Sequence, residues 1–407
     1  MAKPLDGITV VELATFVAGP SCGRLLADLG ARVIKIEAPS GDTWRVNGRR
    51  YVGGYFTELE NPVFDIYNSG KELVSLNLKN PEGKEALMKL LDSADVFLTN
   101  TRPAGLKRLG LSYEEVKARR PDIIYAILLG YGEKGPEGGN PAFDSTAFWS
   151  KSGFLRDQSP LTNDYMPINP PFGVGDTMTG FLLMGEICAA LYRRKCTGEG
   201  DYVSTTLFHN GVFCFGTMNL ISQKPYGKEY PVSRLSFGVP GGLYCCSDDE
   251  WVYVGIVSMA SAVPSMCEAI GLPELVNDPT LFDKDYTVVD TPRVYEYLKN
   301  AFLQHDSDYW LAKAKEYDFP LVRLNRYSNV LQDPQAVANG FVEQVQFPNG
   351  NVGPMPSSPI EMASVGELKT VPAPHVGHDT AAVLAQLGYS AEDIDALHES
   401  GAVRCEK

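Results

Sequence analysis

The stretch Ile8-Thr-Val-Val-Glu-Leu-Ala-Thr-Phe-Val-Ala-Gly-Pro-Ser-Cys-Gly-Arg-Leu-Leu-Ala-Asp-Leu-Gly-Ala-Arg-Val-Ile-Lys-Ile-Glu37 holds two short β-branched runs, 8–13 and 32–37. Between them, Cys22 to Gly30 has helical periodicity and a glycine stop. Strand, helix and strand in about thirty residues is a βαβ unit, which joins parallel neighbours. The pattern continues outward. Leu73–Leu78 reads as a strand, Pro81–Leu91 as a helix opened by proline, Ala94–Asn100 as a strand, Gly105–Leu109 and Ser112–Arg119 as helices, and Ile123–Leu129 as a strand. The expected fold is therefore α/β, a Rossmann-like parallel sheet covered on both faces, with ligands at the carboxyl ends of its strands.

Past residue 200 the character changes. Asp201–Leu207 resembles a strand, His209–Ile221 a mostly apolar helix, and 224–242 is rich in Gly, Pro, Ser and Arg. Gly242–Ile256 reads as a hairpin turning at 248–250, and helices follow near 260–270, 291–303 and 309–317. Four segments result: a large Rossmann-like domain over 1–205, a linker over 206–242, a smaller α+β domain over 243–325, and a return to the large domain with C-terminal helices over 326–407.

Composition narrows the function classes. The 407 residues are 44% hydrophobic and 21% charged, and 50 acidic against 36 basic residues give a net charge of −14, which argues against nucleic-acid and membrane-surface partners. Eight cysteines lack CxxC spacing and five histidines form no HxxxH or HxH, so reduced thiols in a cytoplasm and no metal site are expected. No secretory leader or transmembrane-length run is apparent. Without GxGxxG or GxxxxGK[ST], a nicotinamide, flavin or ATP site is poorly supported.

The chemistry-bearing segment is Phe172-Gly-Val-Gly-Asp-Thr-Met-Thr-Gly180, followed by the apolar run 181–192. It puts one carboxylate, Asp176, where a glycine turn feeds a helix. Two readings fit: an N-cap, or a reacting group that backbone or a bulky ligand can approach across Gly173 and Gly175. Basic residues collect after the strand Ala94–Asn100, in Asn100-Thr-Arg-Pro-Ala-Gly-Leu-Lys-Arg108, where a guanidinium can grip phosphate. The glycine-dense loop 130–144 suits a mobile active-site loop or a long turn.

Several motifs recur in order: Thr9-Val-Val-Glu-Leu with Val17-Ala-Gly-Pro20, Leu26–Glu37, Leu78–Gly83, Asn100 with Arg102-Pro-Ala-Gly-Leu, Gly130-Tyr-Gly, Pro141-Ala-Phe-Asp144, Gly173–Gly180 and Thr197-Gly-Glu-Gly200. Together they resemble the class III (CaiB/BaiF-type, formyl-CoA and carnitine-type) coenzyme A transferases. Tyr131–Pro136 and Phe143–Phe148 are similar in flavour to clostridial members acting on 2-hydroxyacids such as phenyllactate or 2-hydroxyisocaproate.

The resemblance implies that Asp176 is the nucleophile, forming a mixed anhydride and then an aspartyl-CoA thioester. It implies coenzyme A contacts at Val17 and Ala18, at Leu76, Asn77, Leu78 and Lys79, at Asn100, Thr101 and Arg102, and at Arg108. Phe143, Asp144, Gly241 and Gly242 fall on substrate or auxiliary positions. Coenzyme A acts as a substrate, acyl-CoA and small carboxylic acids are the small-molecule partners, and an interlocked homodimer is implied. Two departures stand out: Ala38 replaces a basic residue, and Ser236–Leu243 replaces a glycine-repeat lid. The related 2-methylacyl-CoA racemases use a histidine and an aspartate as bases, yet no histidine precedes His209. A non-catalytic acyl-CoA-binding protein is a further alternative.

Overall fold

A computed structural model describes residues 2–51, 56–158, 167–224, 226, 239–256 and 259–406. The chain forms two compact units, one of residues 1–154, 169–221 and 331–407, the other of 155–168 and 222–330.

The first unit is built on a seven-stranded sheet. Its strands in chain order are β1 (Thr9–Leu13), β2 (Arg32–Glu37), β3 (Glu72–Leu76), β4 (Val96–Thr99), β5 (Ile124–Leu129) and β6 (Asp201–Thr206), closed by a late strand at Val403–Arg404. In space the six run 3-2-1-4-5-6, all parallel, with Val403–Arg404 antiparallel on the outer edge of β3. The order reverses between β1 and β4, and a crevice opens at that switch point. The connecting helices are α1 (Ala18–Asp28), α2 (Thr43–Tyr51), α3 (Pro62–Asn68), α4 (Pro81–Ser93), α5 (Pro103–Leu109) and α6 (Tyr113–Arg119). After β5 come a π-helix (Asp144–Ser150), a short helix α7 (Phe154–Asp157) and the long α8 (Val174–Thr197).

Start signals in the sequence act as expected in two of these helices. The Asn80 side chain accepts the Glu82 N–H at 2.8 Å with Pro81 at the first helical position, and Ser112 with Glu115 forms a capping box. One sheet face buries Val11, Ile34, Phe97 and Ile127 against Leu87 and Leu91 of α4. Helices α1 and α8 cover the other. Against the expectation that no run reaches transmembrane length, helix α8 is, by length and composition only, the one described helix long and apolar enough to cross a membrane. Its buried stripe at Gly175, Thr179, Leu183, Ile187 and Ala190 has the spacing of a helix lying on a protein core.

Residues 207–221 do not belong to a linker. They form α9 (Leu207–Cys214) and α10 (Gly216–Ile221) within the first unit. The apolar sequence has a partner there: Gly211 lies so close to the π-helix that a Cβ on it would meet the Phe148 carbonyl oxygen at 2.8 Å. Most of the expected linker over 222–242, including 236–238 of the replaced lid, lies outside the described residues.

The second unit carries a three-stranded antiparallel sheet of β7 (Gly242–Cys245), β8 (Trp251–Val254) and β9 (Leu321–Arg323). Helices α11 (Met259–Ala269), α12 (Thr291–Phe302) and α13 (Ser307–Glu316) pack on it around Tyr244, Val252, Met266, Phe302 and Trp310. Cys246 is buried there and Cys245 half-buried, and every cysteine is a free thiol. The chain then returns to the first unit through α14 (Pro334–Ala338), the hairpin β10 (Val342–Gln346) and β11 (Val352–Pro356), α15 (Thr380–Gln386) and α16 (Ala391–Glu399). It ends in β12, the edge strand Val403–Arg404.

Candidate active site

The loops after β1 and β4 hold each other. Thr15 N–H donates to Asn100 Oδ1 at 3.0 Å and Asn100 Nδ2 donates to the Thr15 carbonyl at 2.7 Å, tying the two lips of the switch-point crevice. Phe16, next in the chain, has a left-handed backbone (φ 64°), a strained choice for a bulky residue. Asp42 fixes it there. Its Oδ1 accepts the N–H groups of Phe16 at 3.3 Å and Trp44 at 2.9 Å.

A buried ionic cluster in turn holds Asp42. Lys35, fully buried within β2, reaches Asp42 at 2.9 Å, Glu12 at 3.1 Å and the Ala14 carbonyl at 2.6 Å. Lys71 meets the other Glu12 oxygen at 2.7 Å and the Pro20 carbonyl at 2.8 Å. Burial lowers the Lys35 pKa, but Asp42 and Glu12 outweigh it and the net direction is up. For Lys71 burial prevails over Glu12 and brings the group down to about 8.

Asp176 is not the cap of α8. Gly173 takes that position with a left-handed backbone (φ 71°), and Asp176 lies inside the first turn. The capping carboxylate comes from elsewhere: Asp144 Oδ2 accepts the Gly173 N–H at 2.9 Å and Trp149 Nε1–H at 3.2 Å. Its Oδ1 is buried without a well-formed hydrogen bond and faces the start of α8. Burial raises the Asp144 pKa, countered by Trp149 and by the N–H groups of Gly173, Asp176 and Gly175. The approach is possible because residue 175 is glycine. A Cβ there would stand 2.3 Å from Phe148 Cγ and 2.4 Å from Asp144 Oδ1.

The half-buried Asp176 carboxyl is pushed up to about 7, first by burial and then by the like charge of Asp144. Tyr67 stands alongside. Burial raises its phenol, a hydrogen bond to Thr177 opposes that, and Asp176 and Asp144 raise it further. No sequence signal marked Tyr67, which reaches the site from α3, a helix the strand-and-helix pattern missed.

Two cavities open on Asp176. One, of about 450 Å³, lies at the ends of β1, β4 and β5 and is lined by Ala18, Asn100, Thr101, Arg102 and the loop from Gly130. The other, of about 560 Å³, is largely aromatic: Trp44 and Phe172 stack at 5.0 Å, and Phe16 meets Phe143 edge-on at 5.8 Å. The cavities share three lining residues, Phe16, Phe143 and Asp176.

Among the expected coenzyme A contacts, Ala18, Asn100, Thr101 and Arg102 line the polar cavity. Val17 instead sits in the apolar cluster of Trp44, Phe64 and Leu73 and lines the aromatic cavity. Arg108 lines a neighbouring cavity of about 600 Å³ that shares Thr101, Arg102, Pro103 and Gly139 with the polar one. Leu76 is buried in the sheet core, Leu78 packs against it, Asn77 binds the Gly401 and Ala402 carbonyls, and Lys79 is exposed. These four lie at the carboxyl end of β3 and line none of the three cavities. Phe143 and Asp144 are at the site, whereas Gly241 and Gly242 belong to the second unit.

The glycine-dense loop is anchored through Glu133 to Tyr202 and through Glu137 to Lys151. Its last residue, Asp144, starts the π-helix, an element the sequence reading did not anticipate. Among the described residues, no group of three or more His, Cys, Asp or Glu side chains is placed to hold a metal.

Known proteins resemble the chain over nearly its whole length. The family model described as CoA-transferase family III matches residues 5–380. The chain is 36% identical over 405 residues to the (R)-2-hydroxy-4-methylpentanoate CoA-transferase of Clostridioides difficile, covering 98% of this chain and 99% of the relative. It is 32% identical over 401 residues to the cinnamoyl-CoA:phenyllactate CoA-transferase of Clostridium sporogenes, covering 97% and 96%. Among solved structures, a CAIB/BAIF family protein from Brucella suis superposes with a TM-score of 0.77 at 28% identity, covering 95% of this chain and all (100%) of that one.

Proposed function

The chain belongs to CoA-transferase family III, and from that premise we propose that it moves coenzyme A from an acyl-CoA to a 2-hydroxy carboxylic acid through covalent chemistry on Asp176. The observation that carries the reading is the position of Asp176 where a polar and an aromatic cavity meet. A carboxyl with a pKa of about 7 is ionised in a large fraction of molecules at neutral pH and is more basic than an ordinary aspartate, which favours nucleophilic attack.

The steps follow from that placement. Asp176 attacks the donor thioester carbonyl, the C–S bond breaks, and the coenzyme A thiolate leaves behind a mixed anhydride. The thiolate then attacks the aspartyl carbonyl of the anhydride, releases the donor acid and forms an aspartyl thioester. The acceptor carboxylate attacks that thioester, expelling the thiolate and forming a second anhydride. Attack of the thiolate on the acceptor's acyl carbon yields the new acyl-CoA and frees Asp176. Each step exchanges one acyl bond for another, with no redox partner. Within this scheme Arg102 grips a phosphate of coenzyme A, Asn100 and Ala18 border its path, and Arg108 extends the basic track.

A homodimer belongs to the same proposal. Phe181, Leu182, Phe213 and Leu220 on α8, α9 and α10 are 40%, 43%, 82% and 63% exposed, an apolar surface that a second copy would cover. Light scattering at micromolar protein should give twice the chain mass.

The decisive test of the chemistry is incubation with an acyl-CoA followed by hydroxylamine and peptide mass analysis. A hydroxamate on Asp176, absent in Asp176→Ala, is expected. Comparable exchange by a folded Asp176→Ala protein sinks the proposal.

A further inference from the structure

We propose that Arg50 is the specificity-determining residue that receives the carboxylate of the incoming acid, an inference resting on the transferase reading above. Helix α2 carries Trp44, Asn47 and Arg50 at successive i, i+3 positions, and all three line the aromatic cavity. Opposite them stand Pro170, Pro171 and Phe172, and the cavity reaches Asp176 at its shared boundary with the polar one.

Such walls suit the apolar body of an acid and cannot solvate its charge. The carboxylates at that end make matters worse, since Asp144 and Asp176 both border the cavity and repel a third anion. A cation is needed to bring the acid in. Among the described residues lining this cavity, Arg50 is the one cationic side chain, and no described acidic side chain pairs with it. A guanidinium also offers a planar fork matched to a carboxylate, and Asn47 one turn earlier adds neutral donors and an acceptor for a neighbouring hydroxyl. Arg50 is separate from the phosphate-facing cations, because Arg102 and Arg108 lie in the other two cavities.

The acceptor class follows: a monocarboxylate with an uncharged apolar body. An acid whose tail carries a quaternary ammonium would place a second cation beside Arg50 and is disfavoured.

The test uses isotope exchange of 3-phenyllactate or 2-hydroxy-4-methylpentanoate into its own CoA thioester, by the full-length wild-type enzyme and its Arg50→Gln and Arg50→Lys variants. Acid and thioester share one body and differ in the free carboxylate. For Arg50→Gln, KM for the acid is expected to rise about tenfold or more, KM for the thioester to change less than twofold, and Arg50→Lys to restore part of the loss. An unchanged acid KM in Arg50→Gln, with wild-type exchange intact, overturns the role of Arg50 and leaves the transferase reading standing. Equal rises in both KM values also overturn it, because they mark a packing effect. Wild-type enzyme that exchanges neither acid and forms no Asp176 hydroxamate overturns both readings. Urea midpoints equal to wild type verify that the exposed Arg50 can be replaced without unfolding.

Discussion

Asp144 caps helix α8 from 29 residues upstream: its Oδ2 accepts the Gly173 N–H at 2.9 Å, leaving Asp176 at the third position of the first turn and free of capping duty. The same carboxylate supplies the like charge that, after burial, raises Asp176. Cap and perturber are one residue, and a substitution can separate them. Asp144→Asn keeps an oxygen for Gly173 and removes the charge. Acyl loading, trapped with hydroxylamine from pH 5 to 8.5, should rise with pH as Asp176 ionises, with a wild-type midpoint near 7. In the variant the midpoint should lie lower, and loading at pH 6 should be a roughly threefold larger share of its own plateau.

Raising the pKa of a nucleophilic carboxylate has a cost in stability. The folded-state value of about 7 lies above the ordinary 3.8, so the contribution to stability is complete below pH 3.8 and is lost as pH rises through 7. Asp65, also pushed up to about 7 by burial, adds to the same trend. Asp176→Asn should therefore unfold at higher urea than wild type at pH 8, by on the order of 2 kcal/mol. At pH 4 the advantage should disappear, and exchange should be abolished throughout.

Gly175 is fixed by contact on two sides. In Gly175→Ala the new methyl meets Phe148 and Asp144 at 2.3 and 2.4 Å, so the π-helix and the start of α8 must part. A loss of about 3 kcal/mol is expected in urea unfolding. Exchange should fall further than the folded fraction does, since the Asp144 carboxylate is displaced from Asp176.

Asp42 supports both aromatic walls and neutralises Lys35. Asp42→Ala leaves the Phe16 and Trp44 N–H groups without this acceptor and Lys35 with Glu12 and the Ala14 carbonyl, for a destabilisation of roughly 3–5 kcal/mol. If urea unfolding showed less than about 1 kcal/mol, the buried cluster would not be what holds Phe16 in its left-handed backbone.

The parallel sheet was legible because Ile8–Leu13, Arg32–Glu37 and Ile123–Leu129 are short β-branched runs separated by helix-period segments. The hairpin of the second unit was equally plain, for Asp248-Asp-Glu250 is turn chemistry between two apolar runs. Local chemistry failed where partners are distant. Asp before Thr-Met-Thr reads as an N-cap, and only the fold brings Asp144 to take that place. Lys35 reads as one polar residue in a strand, while its partners Glu12 and Asp42 come from a neighbouring strand and a loop. The π-helix Asp144–Ser150 follows a glycine-dense loop and matches neither strand nor α-helix period, so in the sequence Asp144 reads as the end of a mobile active-site loop or a long turn. Helices α2 and α3, which deliver Trp44, Arg50 and Tyr67, lack the long apolar stripe that marks α4.

The sheet is finished by its latest segment. Asn77, at the end of β3, binds the Gly401 carbonyl from 324 residues further along, and Val403–Arg404 then seals the β3 edge. During synthesis on the ribosome that edge stays open while the whole second unit emerges and folds, presenting unpaired backbone to any other strand nearby. The first unit can thus be complete only once Val403–Arg404 has emerged, and a nascent chain stalled inside the second unit should be a target for chaperones that hold exposed β-edges.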